Sequence, residues 1–241
     1  MALRGSRKKI QEDHHLLEIE GREVPLIVRR HPRARRMILR VNTAGEGAVV
    51  TIPAHASSAD ALDLARRQSS WLCQHLDDMG ERIIFGDGVI IPFQGDQYTV
   101  RHRGDVRGTV WIEDGEINVA GGIEHLSRRL GDWLRKQARA RIVSLAHHKA
   151  EQIDKVPARI TVRDTRTRWG SCSFKGGLSF SWRLIMAPPE ILDYVVAHEV
   201  AHLAHMNHSP SFWDTVDRLT DNAKGGRAWL SDNGAVLHRI G

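Results

Sequence analysis

Apolar and polar positions alternate in short pieces along the first part of the chain, and that period predicts strands before helices. Residues 24–28, 37–41 and 48–52 read as strands, with residues 42–47 turning the chain ahead of the third. Over residues 59–79 the period lengthens. Ala61, Leu62, Ala65, Leu72 and Leu76 recur at helical spacing, behind a cap at Ser57 or Ser58 and ahead of a stop at Gly80. Strand spacing returns over 88–93, 97–101, 109–112 and 116–119, where Asp114-Gly115 reads as a hairpin turn. A long helix over 123–152 follows, with Leu126, Leu130, Trp133, Leu134, Ala138, Ile142 and Leu145 as its apolar stripe.

Beyond that helix, residues 160–163 and 178–184 read as strands, with Gly176-Gly177 as the turn. Pro188-Pro189 opens a helix whose apolar positions are Leu192, Val195, Val196, Val200 and Leu203. Ser209 and Pro210 begin another that reaches Leu219, and a short one is expected around residues 227–230. Residues up to 18 are charged and aperiodic. The expectation is an α+β protein: a loose tail over 1–20, a β-rich domain with one helix over 21–122, and a second domain over 123–241.

The 241 residues suffice for a full core, and 41% hydrophobic content excludes global disorder. A net charge of +6 makes acidic partners, nucleic acid among them, compatible with the chain. Two cysteines, Cys73 and Cys172, make neither a disulfide framework nor a cysteine metal site. No apolar run is long enough for a membrane span, and no apolar stretch follows the basic N-terminus. Those features point to a cytoplasmic protein with no membrane partner; the oligomeric state is not legible.

The strongest chemistry lies at His198, Glu199 and His202. On a helix, residues four apart stand one turn above each other, the spacing at which two imidazoles grip one zinc ion. Glu199 is next round from the first ligand, where it reaches a water beside the metal without binding the metal itself. For the third ligand His208 is favoured, provided the helix stops near His205 or Met206 and the chain folds back through Asn207. His205 is the rival, on the face of His198 and His202 if the helix runs on. A glutamate as third ligand is excluded, because none follows Glu199.

Six arginines from Arg29 to Arg40 would suit phosphates, although a solvated edge is the plainer reading. Arg168, beside a tight Gly-Ser turn, is a candidate for stabilising an oxyanion or for pairing with a carboxylate. Trp169, Trp182, Trp213 and Trp229 read as packing residues. A hairpin edge beside the helix of His198 would let an extended peptide add as a further strand.

Arg168-Trp169-Gly170-Ser171-Cys172-Ser173, Trp182-Arg183-Leu184, Tyr194 to Glu199, Asn207-His208-Ser209 and Phe212-Trp213 together resemble the YgjP-like metallopeptidases, a family related to SprT-type and WLM zincins. The resemblance spans about residues 25–235 and implies a compact zincin-like domain behind the β-rich one. It also implies His198, His202 and His208 as zinc ligands and Glu199 as the base. Ser181 stands where that family commonly has asparagine. The expected activity is zinc-dependent hydrolysis of a peptide or protein. Two alternatives stand beside it: hydrolysis of a phosphate-bearing small molecule, and a nucleic-acid-associated module with a residual metal site.

Overall fold

The structure is a computed structural model that describes residues 10–42, 46–78, 82–165 and 168–241. The chain forms two compact units, residues 1–80 and 81–241.

In the first unit, β1 (Gln11–Ile19), β2 (Arg22–Arg30), β3 (Ile38–Val41) and β4 (Ala48–Ile52) make a sheet of order β1-β2-β4-β3, with β2 and β4 parallel. The described part of the expected tail is therefore a strand. Its register pairs Leu17 with Val24 and Ile19 with Arg22, which buries Leu17 and Ile19. Glu20 (φ 49°) and Gly21 (φ 77°) close the hairpin as a turn with both φ angles positive. Four charged or imidazole side chains in a row at residues 12–15 hide this strand from a period count. Residues 1–9, and the middle of the expected 42–47 turn, lie outside the described residues.

The one helix expected over 59–79 is two, α1 (Ser58–Arg67) and α2 (Ser69–Asp78). Ser57 caps α1 in a reciprocal box with Asp60. At Gln68 ψ turns to 23° and the first helix ends, and Leu72 and Cys73 of the second are buried in the unit's core. The expected stop at Gly80 lies outside the described residues.

The second unit begins with β5 (Ile90–Phe93), β6 (Asp96–Arg103), β7 (Val110–Glu113) and β8 (Glu116–Ala120), in order β5-β6-β8-β7. Asp114 and Gly115 make the β7–β8 turn, both at positive φ. Helix α3 (Leu126–Glu151) buries Leu130, Leu134, Ala138, Ile142 and Ala146, one every four residues. Ile91, Val100 and Ile117 of the sheet share one core with these residues and with Phe180, Trp182 and Val196 from later in the chain. The division between units thus falls after residue 80, not at 122/123. A sheet and the helix that covers its apolar face fold as one body.

A three-stranded sheet follows, β9 (Arg159–Arg163), β10 (Gly170–Cys172) and β11 (Gly177–Ser181), in order β10-β11-β9. β10 is antiparallel to β11 and β9 is parallel to it. The strand expected over 178–184 stops at Ser181, where Trp182–Met186 winds into a 3-10 turn whose five side chains are all buried. Helices α4 (Pro189–Ala201), α5 (Pro210–Leu219) and α6 (Ala223–His238) complete the unit. Among the described residues no helix is long and apolar enough to cross a membrane.

Candidate metal centre

Helix α4 is held on all sides. Proline at its first position fits where no donor is needed, and Ile191, Leu192, Val195, Val196 and Val200 are buried against α3, α5, α6 and β10. Lys149 of α3 is 5% exposed; it pairs with Asp193 at 2.7 Å and donates to the Leu219 carbonyl at the end of α5. Three helices are tied by that one ammonium. His198 therefore stands on a rigid element.

The helix ends earlier than expected, at Ala201. His202 is its C-cap, and the amides of Leu203, Ala204 and His205 bond back to Val200 and Ala201 as the chain turns. Asn207 is not among the described residues at positive φ, so the turn needs no left-handed residue there. The chain returns through His208, and α5 starts at once with Pro210 in its first turn. The imidazole centroids of His198, His202 and His208 lie 5.1, 5.2 and 4.9 Å apart, a nearly equilateral triangle.

One ring nitrogen from each of the three lies within 4.8 Å of the others. His198 Nε2 and His208 Nε2 are 3.3 Å apart. Two nitrogens each about 2.0–2.1 Å from a tetrahedral zinc are about 3.4 Å apart. His202 donates from Nδ1 to the His205 carbonyl at 2.9 Å, which fixes its tautomer and leaves the Nε2 lone pair free for a cation. His205 thus takes part through its backbone, and its ring is not in the cluster. His198 Nδ1 is buried with no hydrogen-bond partner among the described residues, and its ring is packed against Phe212, Trp213 and Tyr194. Phe212 lies 5.0, 4.5 and 4.7 Å from the three imidazoles, and Tyr194 meets His198 edge-on at 6.0 Å. The triad's shape and donor chemistry fit a divalent cation of the zinc type.

The electrostatics agree. Burial, with His202, His208 and Arg227 nearby, lowers His198 to about 4, and burial also lowers His202. Neutral imidazoles are the form that ligates. Burial raises Glu199, 7% exposed, to about 7, while the charge of Arg168 pulls it back down. Glu199 lies against Gly170 of β10. A Cβ on that glycine would come 2.6 Å from the carboxylate Oε1, so only glycine lets the strand approach so closely. Arg168 is exposed and within the electrostatic reach of Glu199, without an ion pair to it. The structure thus brings the three histidines together, with Glu199 next to His198 on α4 and Arg168 within electrostatic reach of Glu199.

It adds others that sequence reasoning took as packing or passed over. Phe212 and Trp213 wall the histidines, and Arg227 stacks over Trp213 at 6.0 Å. Tyr194, 6% exposed, touches His198 from one turn earlier. The i, i+4 spacing of Tyr194 and His198 was the available signal.

A family model described as YgjP-like, metallopeptidase domain, matches residues 35–233. No curated protein and no solved structure matches the chain.

Proposed function

Because the chain belongs to the YgjP-like metallopeptidase family, we propose that it is a zinc-dependent endopeptidase whose metal is held by His198, His202 and His208. The observation that carries this reading is the cluster of three imidazoles, two of them held towards the neutral form by burial, with a buried carboxyl next to the first. When bound, zinc supplies Lewis acidity towards a carbonyl oxygen and towards water.

The chain's own residues do the rest. Glu199 takes the proton of the attacking water on its carboxylate and passes it to the leaving amine nitrogen. Burial favours the protonated carboxyl and Arg168 the ionised one, so the group can both take the proton and give it up. Arg168 opposes full neutralisation of Glu199 and offers a guanidinium to the oxyanion. β10 is an edge strand. Trp169 and Ser173 bond across to Ser181 and Gly177, so the backbone groups of Gly170 and Cys172 point outward, free for an extended peptide. Phe212 and Trp213 keep water from the far side of the imidazoles.

The test is metal content of wild type, His208→Ala and His205→Ala, with peptide cleavage by wild type and Glu199→Gln. One zinc per chain, lost with His208 but kept without the His205 ring, is expected. So is a drop of about 10²–10⁴-fold in cleavage for Glu199→Gln with the metal retained. A wild type that takes up no metal when zinc is offered would overturn the reading.

A further inference from the structure

The sheet of β9, β10 and β11 has two unlike faces. Across its register, Ile160, Leu178 and Cys172 form one row and Val162, Phe180 and Gly170 the next, and both rows turn to the core and to Glu199. The opposite face carries Thr161, Ser179 and Ser171 side by side across the three strands, with Arg159 and Arg163 flanking Thr161 along β9. Residues four apart on a strand share a face and stand about 13 Å apart. Arg168 closes the end towards β10.

These side chains line an open trough of about 410 Å³. Its floor is small, because β11 contributes Gly177 and Ser179. No carboxylate lines it, and none of the three arginines has an ion-pair partner among the described residues. The hydroxyls of Ser171 and Ser179 are likewise without hydrogen-bond partners. A solvated edge strand needs charge, but not three unpaired guanidiniums of one sign gathered round a row of hydroxyls. This is the composition of a site that receives oxyanions.

The trough joins the metal centre through one strand. Directly opposite residues of paired strands project to the same face, and successive residues alternate. In a peptide laid on the free edge of β10, the residues beside Gly170 and Cys172 would face Glu199. The residue beside Ser171, and those two positions away from it, would face the trough.

We propose that this trough is a specificity subsite for acidic side chains of the peptide substrate, read at alternate positions along β10. The proposal rests on the peptidase reading above. A carboxylate extended over Ser171 and across the trough meets its hydroxyl and that of Ser179, with Arg168 at the β10 end and Arg159 and Arg163 on β9 at the far side. Nucleic acid is the other polyanion of this charge. It is disfavoured because no aromatic side chain lines the trough to stack a base.

Fluorescence anisotropy on the full chain loaded with zinc tests this with three labelled probes. They are a short extended peptide with glutamate at alternate positions, the same peptide with glutamine, and a single-stranded oligonucleotide. The glutamate peptide should bind about tenfold more tightly than the glutamine one. The Arg159→Gln/Arg163→Gln double variant should erase that preference. Arg139→Gln/Arg141→Gln, which removes the same charge from the exposed face of α3, should keep it. Equal binding of the two peptides, or binding of neither, overturns the proposal. So does an oligonucleotide that binds more tightly than the glutamate peptide and loses affinity in the Arg159/Arg163 variant. Cleavage of the same peptides separates the two readings. Cleavage without preference for glutamate removes the trough and leaves the peptidase; preferential binding with no cleavage removes the peptidase and leaves an acidic-peptide site.

Discussion

At the scale of single residues, the contact between Gly170 and Glu199 makes the sharpest demand on the sequence. A methyl group at 170 would occupy the space of the Glu199 carboxyl, on a side chain too buried to swing clear. Gly170→Ala should therefore lower kcat/KM by about 10²-fold, the cost of displacing a reacting group by about 1 Å. Metal content and the circular dichroism spectrum should stay unchanged, and an unaltered rate would contradict the assigned geometry. The titrations give a second test, in metal-free protein. Glu199 is raised from 4.5 to about 7, so the stability it contributes is full below 4.5 and is lost as pH rises towards 7. His198 runs the other way: lowered from 6.5 to about 4, its contribution is full above 6.5 and is lost as pH falls towards 4. Glu199→Gln removes only the first effect. In chelator it should be more stable than wild type by about 1–3 kcal/mol well above pH 7, and equal to it below pH 4.5, by urea denaturation. A difference that does not change with pH would count against the buried carboxyl. The histidines were legible from sequence because their spacing is local. The approach of Gly170 to Glu199 was not, since it depends on how a strand lands on a helix 29 positions later. The arginine run divides in a similar way: Arg29 pairs with Glu12, and Arg30 holds the Pro53, Ala54 and Ala56 carbonyls, so part of the run is structural.

At the scale of elements, helices with a full apolar stripe were readable and elements whose burial is carried by glycine were not. α3 announces itself through Leu130, Leu134, Ala138 and Ile142. α6 extends over Ala223–His238, where only a short helix around 227–230 was expected; it holds Gly225, Gly226 and Gly234, residues of low helix propensity. All three are close approaches, and a Cβ at Gly225 would run into the Asn222 side chain. A Cβ at Gly226 would come 2.6 Å from the Tyr194 Cδ1, and one at Gly234 would come 3.1 Å from the Trp169 Nε1. The end of α4 was misjudged by about a turn, since the capping bonds of residues 203–205 leave no mark in residue type. Besides its apolar packing, α4 is tied to its neighbours by a single cation, and that has a measurable consequence. Lys149→Met keeps the packing volume but leaves Asp193 without its partner and the Leu219 carbonyl without its donor. The expected loss is about 2–4 kcal/mol, below a fully buried pair because Asp193 is 30% exposed. Thermal unfolding checks it, and a variant as stable as wild type would show that the pair contributes only specificity.

At the scale of the whole molecule, the period of the sequence changes at the long helix, and that change suggested a boundary at 122/123. The boundary of compact units lies at residue 80 instead, because an amphipathic helix belongs to whichever surface its stripe covers. The stripe of α3 is spent on both sides: Leu130, Leu134 and Ile142 share a core with Ile91, Val100 and Ile117 before it and with Phe180, Leu184 and Val196 after it. Two fragments separate these descriptions. Residues 82–241 contain that core entire, together with all three histidines, Glu199 and Arg168. They should fold cooperatively and bind one zinc. Residues 123–241 keep every residue of the candidate site but lose the sheet of β5 to β8, leaving the apolar side chains that faced it exposed to water. At ~25 cal/mol per Å², uncovering several such side chains removes more than the ~5–15 kcal/mol that a domain of this size has to lose. The shorter fragment should therefore show no cooperative melting transition and weak, substoichiometric metal uptake. If it instead folds and takes up one zinc as the longer fragment does, the sheet is dispensable to the metal centre and the boundary at 122/123 is the correct one.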